Sequence, residues 1–237
     1  MHVADEPALI LHARAYRETS LLLECLTPTH GRVGLIARGV RRERSRLPRG
    51  LLQPLQPLLL AWIGRGELAT LTHAEASAAP FPLAGERIYS AMYLNELVLR
   101  LCARGDPHSD LFEHYLQCLQ RLSAAESEAW TLRRFERDLM IDLGYGLVLD
   151  RDIESGQPLQ ASSDYAYVID GGPRPWAGNA DDLRVSGAAL LALAGDKMPS
   201  PAQASELRRL MRALLRHQLG GGSLNAWSMR MQHQPQQ

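Results

Sequence analysis

Between Gly31 and Gly50 the chain reads GRVGLIARGVRRERSRLPRG. Seven arginines (Arg32, Arg38, Arg41, Arg42, Arg44, Arg46 and Arg49) stand there against a single acid, Glu43. The stretch therefore carries +6, in a protein whose formal net charge is zero. A guanidinium grips phosphate oxygens through two parallel N–H donors, so such a cluster suits a polyanion lying over the surface. Binding through six or seven of these contacts would weaken steeply with salt. The plainer reading is a solvated loop in an arginine-rich chain, since 25 arginines accompany one lysine, Lys197. Clustering argues against it, because composition alone does not gather arginines with one acid among them.

Other chemistry is thinly supported. The sequence has no P-loop, GxGxxG, HExxH or GxSxG. Its eight histidines never sit at ligand spacing from one another. His114 and Cys118 share a helical face, but two ligands without a third suit a packed core better than a metal. Asp138 and Asp142 also share a face and read as a solvated stripe. No metal or cofactor is expected. Cys25, Cys102 and Cys118 are scattered and odd in number, which fits a reducing compartment and no disulfide framework. The opening MHVADEPALI lacks the basic start and apolar core of a secretory signal, and no apolar run is long enough to span a bilayer. A cytoplasmic, nucleoid-associated protein without membrane contact is the expectation. Tyr16 and Trp62 are the only aromatics before Phe81, so backbone-dominated binding is favoured over sequence readout.

The elements that must carry these residues change character midway. Ala8–Ala15, Ser20–Thr27, Arg32–Arg38, Leu55–Ile63 and Leu68–Ala76 read as consecutive short strands, with the arginines in a mobile loop between the third and fourth. Such a series suggests a small barrel of the oligonucleotide-binding kind; periodicity alone leaves an SH3-like barrel or a small sandwich open. After Ala78-Ala79-Pro80-Phe81-Pro82 the apolar spacing becomes helical. Leu83–Arg104 places Ile88, Met92, Leu94, Leu97, Val98 and Leu101 on one face. Further helices are expected from Ser109 or Asp110 to about Leu122, from Ser127 to Leu143, over Ser186–Ala194 and over Ser200–Leu219. Residues 146–182 read as an irregular insertion containing a short strand at Tyr165–Ile169. The last expected helix turns Arg208, Arg209, Arg212 and Arg216 away from its apolar face. The third sets Arg133 and Arg134 among Leu132, Phe135, Leu139 and Met140. An arginine at the rim of an apolar groove could pair with a peptide carboxylate, although an ordinary amphipathic helix has the same pattern.

Further segments carry a resemblance. Tyr16-Arg17-Glu18-Thr19-Ser20-Leu21-Leu22, Gly31–Arg38, Ala37-Arg38-Gly39-Val40-Arg41-Arg42 and Gly50-Leu51-Leu52-Gln53-Pro54 come first. Gly66-Glu67-Leu68, Tyr93-Leu94-Asn95-Glu96-Leu97, Leu111-Phe112, Leu132-Arg133-Arg134-Phe135-Glu136 and Leu143-Gly144-Tyr145-Gly146 follow. In this order and spacing they resemble the RecO family of bacterial recombination mediators, over roughly residues 8–160. The resemblance implies an α+β protein: a five-stranded OB-fold barrel at 1–80, then a mostly α-helical domain at 81–225; the Gln- and Met-rich end, 226–237, reads from its composition as a disordered tail. It implies binding of single- and double-stranded DNA and annealing of complementary strands. It further implies contact with the acidic, Phe-ending tail of single-strand-binding protein and, with RecR, loading of RecA. The DNA contacts would fall on Arg14, Arg32, Arg38, Arg41, Arg42, Arg44, Arg46 and Arg49. The tail would meet Arg133 or Arg134, beside Leu132 and Phe135. Some relatives carry a four-cysteine zinc module after LGYG, but here Leu149–Gly156 has no cysteine. A protein-interaction adaptor whose barrel never meets DNA is the alternative.

Overall fold

The computed structural model describes residues 2–64, 66–124, 126–222 and 224–225. The chain is α+β and divides into two compact units. Residues 1–123 with 224–237 form the first, and 124–223 the second. Expectations for the tail at 226–237 lie outside the described residues.

In the first unit, β1 (His2–Tyr16), β2 (Ser20–Thr27), β3 (Gly31–Ala37), β4 (Pro57–Ile63) and β5 (Ala69–Ala76) close a barrel in the order β1-β2-β3-β5-β4. One long strand makes the closure possible. The second half of β1 pairs with β2 and its first half with β4, both antiparallel. The register slips between Val3 and Glu6, where Asp5 takes a positive φ of 53°. A bulge of this kind bends a strand and lets it serve two neighbours. The opposite seam is parallel and short, joining Leu35 to Ala69 and Ile36 to Thr70. Ile10, Leu23, Cys25, Leu35, Leu58 and Leu60 fill the interior. Cys25 is fully enclosed, and burial first, with Glu24 second, pushes its thiol well above the ordinary range. It is an inert core residue.

Two helices complete this unit, α1 (Glu86–Leu101) and α2 (Ser109–Ser123). The buried face of α1 is Ser90, Ala91, Tyr93, Leu94, Asn95, Leu97 and Val98. Ile88 and Met92, expected on that face, are instead 40% and 46% exposed. Close approach to the barrel explains the shift. The ladder between β1 and β2 passes over Leu11, and its carbonyl accepts from Asn95 Nδ2 at 2.9 Å. The Tyr115 hydroxyl of α2 donates to Asn95 Oδ1, and burial drives that phenol far up from its usual pKa.

The second unit holds α3 (Glu128–Asp142), β6 (Asp164–Val168), β7 (Gly172–Pro175), β8 (Arg184–Ser186), α4 (Gly187–Ala194) and α5 (Pro201–Gln218). Its three strands form an antiparallel sheet in the order β7-β6-β8. The region expected to be irregular is therefore more ordered than its glycines and prolines suggest. Pro173 and Pro175 lie on an edge strand, where a missing N–H is tolerated. Ser186 caps α4, and Ser200 with Gln203 forms a capping box on α5. No helix among the described residues is long and apolar enough to cross a membrane.

Asn95→Ala removes a donor to Leu11 and an acceptor for Tyr115 inside the first unit. It should cost about 2 kcal/mol of stability, read as a lower urea midpoint.

Candidate nucleic-acid interface

The arginine segment leaves β3 at Ala37 and runs through a chain of turns and a 3-10 turn at Arg49–Leu51 before β4 begins. A mobile loop was the expectation. Instead, apolar residues at intervals pin it. Val40, Leu47 and Leu52 are buried at 1%, 9% and 3% exposure and belong to the barrel core. A backbone bond fastens its start to the β1–β2 turn, Arg41 N–H donating to Thr19 O at 2.9 Å, while Arg42 N–H closes a local turn onto Gly39 O at 3.1 Å. Gly39 adopts φ +67°, the left-handed geometry that swings the chain back over the rim. Between the anchors Arg38, Arg41, Arg42, Arg44, Arg46 and Arg49 all face solvent. Among the described residues none of them is in an ion pair with a carboxylate.

Arg14 is exposed near the end of β1, in one cross-strand row with Leu22 and Ile36. Ile36 in turn borders a cleft of about 660 Å³ walled by Tyr16, Arg17, Arg38 and Arg42. The structure thus brings Arg38 and Arg42 to the β1–β2 turn, with Arg14 in the same cross-strand row as Ile36. It adds Arg17, which lies between the first two expected strands and is not among the expected DNA contacts. Arg17 is exposed, has φ 52°, and holds its guanidinium 5.3 Å from the centre of the Tyr16 ring. The signal that would have found it is its place beside Tyr16 in a turn facing the arginine segment.

Arg32 does not join this rim. It is half-buried, donates from Nη1 to Leu99 O at 2.8 Å and lies 3.7 Å from Glu24. Glu24 also takes two hydrogen bonds from Arg104, one of them 3.2 Å from Nε, and this partner raises the Arg104 pKa further. Arg32 therefore ties β3 to the end of α1, and the fold consumes its charge.

In the second unit, Leu132 and Phe135 are only 2% and 1% exposed, so neither presents a surface to a peptide. Arg133 pairs with Glu136, which is fully buried. Arg134 pairs with Asp196 and sits 3.8 Å from Glu126, both carboxylates well exposed. Asp196 also takes a 3.4 Å bond from Arg137, which donates to Leu193 O at 2.7 Å. A further cationic face lies on α5, where Arg209, Arg212 and Arg216 border a groove of about 520 Å³ with Ile169 and Ala213. Among the described residues no three His, Cys, Asp or Glu side chains come together as a metal site would require.

A closed five-stranded barrel with an accessible arginine rim, followed by helices, defines an α+β protein whose free charge is complementary to a polyanion. Comparison with known proteins narrows this class. The family model described as Recombination protein O N terminal matches residues 1–80, and that described as Recombination protein O C terminal matches residues 83–228. The chain belongs to the Recombination protein O (RecO) family, a family of DNA-repair and recombination proteins. It is 46% identical over 228 residues to the DNA repair protein RecO of Nitrosococcus oceani, covering 95% of this chain and 92% of that one. Its relative in Stenotrophomonas maltophilia is 43% identical over 238 residues, 99% of each chain. That in Xanthomonas campestris is 44% identical over 233 residues, 97% of this chain and 96% of the relative.

Removing Arg32 should act on stability and removing the rim should not. Arg32→Ala is expected to lose roughly 1–2 kcal/mol in urea unfolding, because Leu99 O loses its donor. Arg41→Ala, Arg42→Ala and Arg44→Ala should each stay within about 0.5 kcal/mol of the parent.

Proposed function

We propose that this protein is a non-enzymatic recombination mediator whose barrel binds single- and double-stranded DNA and helps complementary strands anneal. The observation that carries the reading is the run of exposed arginines from Arg38 to Arg49, none of them ion-paired among the described residues, of which Arg38 and Arg42 border the cleft with Arg17. Arg14, Arg38, Arg41, Arg42, Arg44, Arg46 and Arg49 are its DNA contacts, and Arg17 joins them. The topology supports it. The β1-β2-β3-β5-β4 barrel with its parallel β3–β5 seam supports reading it as an OB-fold, a fold that uses its β2–β3 face and the β1–β2 loop to bind oligonucleotides. Phosphates neutralised by the rim repel one another less, which favours two strands coming together. On this reading the chain works in the cytoplasm at the nucleoid and loads RecA with RecR; family membership supports these steps.

The same reading places the tail of single-strand-binding protein at α3, against Arg134 in preference to Arg133. Arg134 has exposed carboxylate partners that an incoming acidic peptide can replace. Arg133 is held by a buried one. Tethering of this kind raises the local concentration of the barrel on coated DNA.

Replacing Arg41, Arg42 and Arg44 together with alanine should weaken single-strand binding across sequences. The log–log salt slope should flatten by about 2, given roughly 0.7 per phosphate contact on single strands. A fluorescence-anisotropy titration at several salt concentrations reads both. An unchanged slope, or an inability of unlabelled single-stranded DNA to compete, favours the adaptor reading in which these arginines face acidic protein.

Asp196→Asn frees Arg134 from its nearest carboxylate. Affinity for an acidic, Phe-ending peptide should rise about two- to fivefold, the scale of one exposed ion pair. If affinity stays level or drops in calorimetry, the peptide binds elsewhere.

A further inference from the structure

The cleft beside the β1–β2 turn is lined unlike the rest of the rim. Its walls combine an aromatic face (Tyr16), an aliphatic side chain (Ile36) and three guanidinium groups (Arg17, Arg38 and Arg42). A phosphate track alone needs only the cations. Tyr16 ends β1 and is partly exposed, and among the described residues its hydroxyl makes no hydrogen bond. Tyr phenols in a core usually find a partner, whereas here the ring opens onto a cleft. Its neighbour Arg17 already lays a planar cation 5.3 Å from the ring centre. The ring thus accepts a flat, delocalised group. About 660 Å³ falls within the roughly 300–1,000 Å³ of small-molecule pockets and leaves room for one nucleotide.

We infer that this cleft seats one unpaired base, stacked on Tyr16 with Arg17 beside it, while the adjoining phosphates lie on Arg38 and Arg42. The inference rests on the rim being a nucleic-acid surface and adds a discrimination to it. A base inside a duplex is already stacked and paired on both sides, and extruding it costs energy. The Tyr16 seat therefore rewards single strands and not duplex. Stacking is sequence-tolerant because every base has a π-face, so the preference is for unpaired nucleotides of any sequence. Glu18, the one acid among the lining residues, disfavours phosphate close to itself.

The test compares three probes of equal phosphate number on the full chain: a mixed-sequence single strand, a duplex of half its length, and a single strand of abasic residues. Tyr16→Ala should weaken the mixed single strand roughly tenfold, within the range for loss of one stacked base, and leave the other two within about twofold. Tyr16→Phe should keep parental binding. The salt slope of Tyr16→Ala should match the parent, because stacking releases no counterions. Equal losses on all three probes, with or without a lowered melting temperature, overturn the base seat and make Tyr16 a support for the rim. No loss on any probe also overturns it. A parent protein that binds none of the three overturns the nucleic-acid reading itself, whereas one that binds all three alike removes only the seat.

Discussion

What governs this molecule is the allocation of its carboxylates. The chain is neutral overall, yet among the described residues the arginines from Arg38 to Arg49 hold no carboxylate, while two acids of the barrel, Glu6 and Glu24, are engaged elsewhere. Glu24 is taken by Arg104 and Arg32, and Glu6 by the Thr29 hydroxyl and backbone, with His30 3.3 Å away. A guanidinium that already holds a carboxylate gains little from a phosphate, since one partner replaces another. One that holds only water gains the full release of counterions. Net charge conceals this, and pairing reveals it.

Free charge is useful only where it is held in place. Loose arginines would each lose side-chain and backbone entropy on meeting a strand, which subtracts from affinity. Here the backbone share is already met. Val40, Leu47 and Leu52 reach into the barrel core, and the cations between them have no inward route. The same segment is thus core at some positions and solvent-facing cation at the others. The β1–β2 turn completes the arrangement, because the bond from Arg41 N–H to Thr19 O sets Arg17 opposite Arg38 and Arg42.

Much of this was legible before any coordinates. The five barrel strands announce themselves by alternation and by glycine and proline breaks, and the arginine cluster by its density. The misreadings have particular causes. His2–Glu6 breaks apolar alternation, because Glu6 is buried and satisfied by Thr29, a partner 23 residues away that no local pattern shows. Ile88 and Met92 look like core, but Asn95 must reach the Leu11 carbonyl and so selects a different face. β7 hides behind Pro173 and Pro175, which only an edge position permits. Arg32 is chemically identical to Arg38. What separates them is a bond to Leu99 O, 67 residues away in sequence. Charge density in a sequence marks a region; which cations stay available is a tertiary fact.

That distinction bears equally on the second unit, where adjacent arginines differ by the burial of their partners. Stripping Arg133 from Glu136 would leave a carboxylate with no exposed surface beside an apolar helix face, a costly state in a low dielectric. Stripping Arg134 from Asp196 returns that carboxylate to water at little cost, because it is 41% exposed already. Exchange of one acid for another is therefore open to Arg134 and closed to Arg133, although both lie in one motif on one helix. It also differs in kind from binding at the barrel rim. Exchange swaps like for like and should respond weakly to salt, while the rim releases counterions and should respond strongly. Under the proposed function, a rise in ionic strength would then loosen the hold on DNA before it loosened a peptide held at α3.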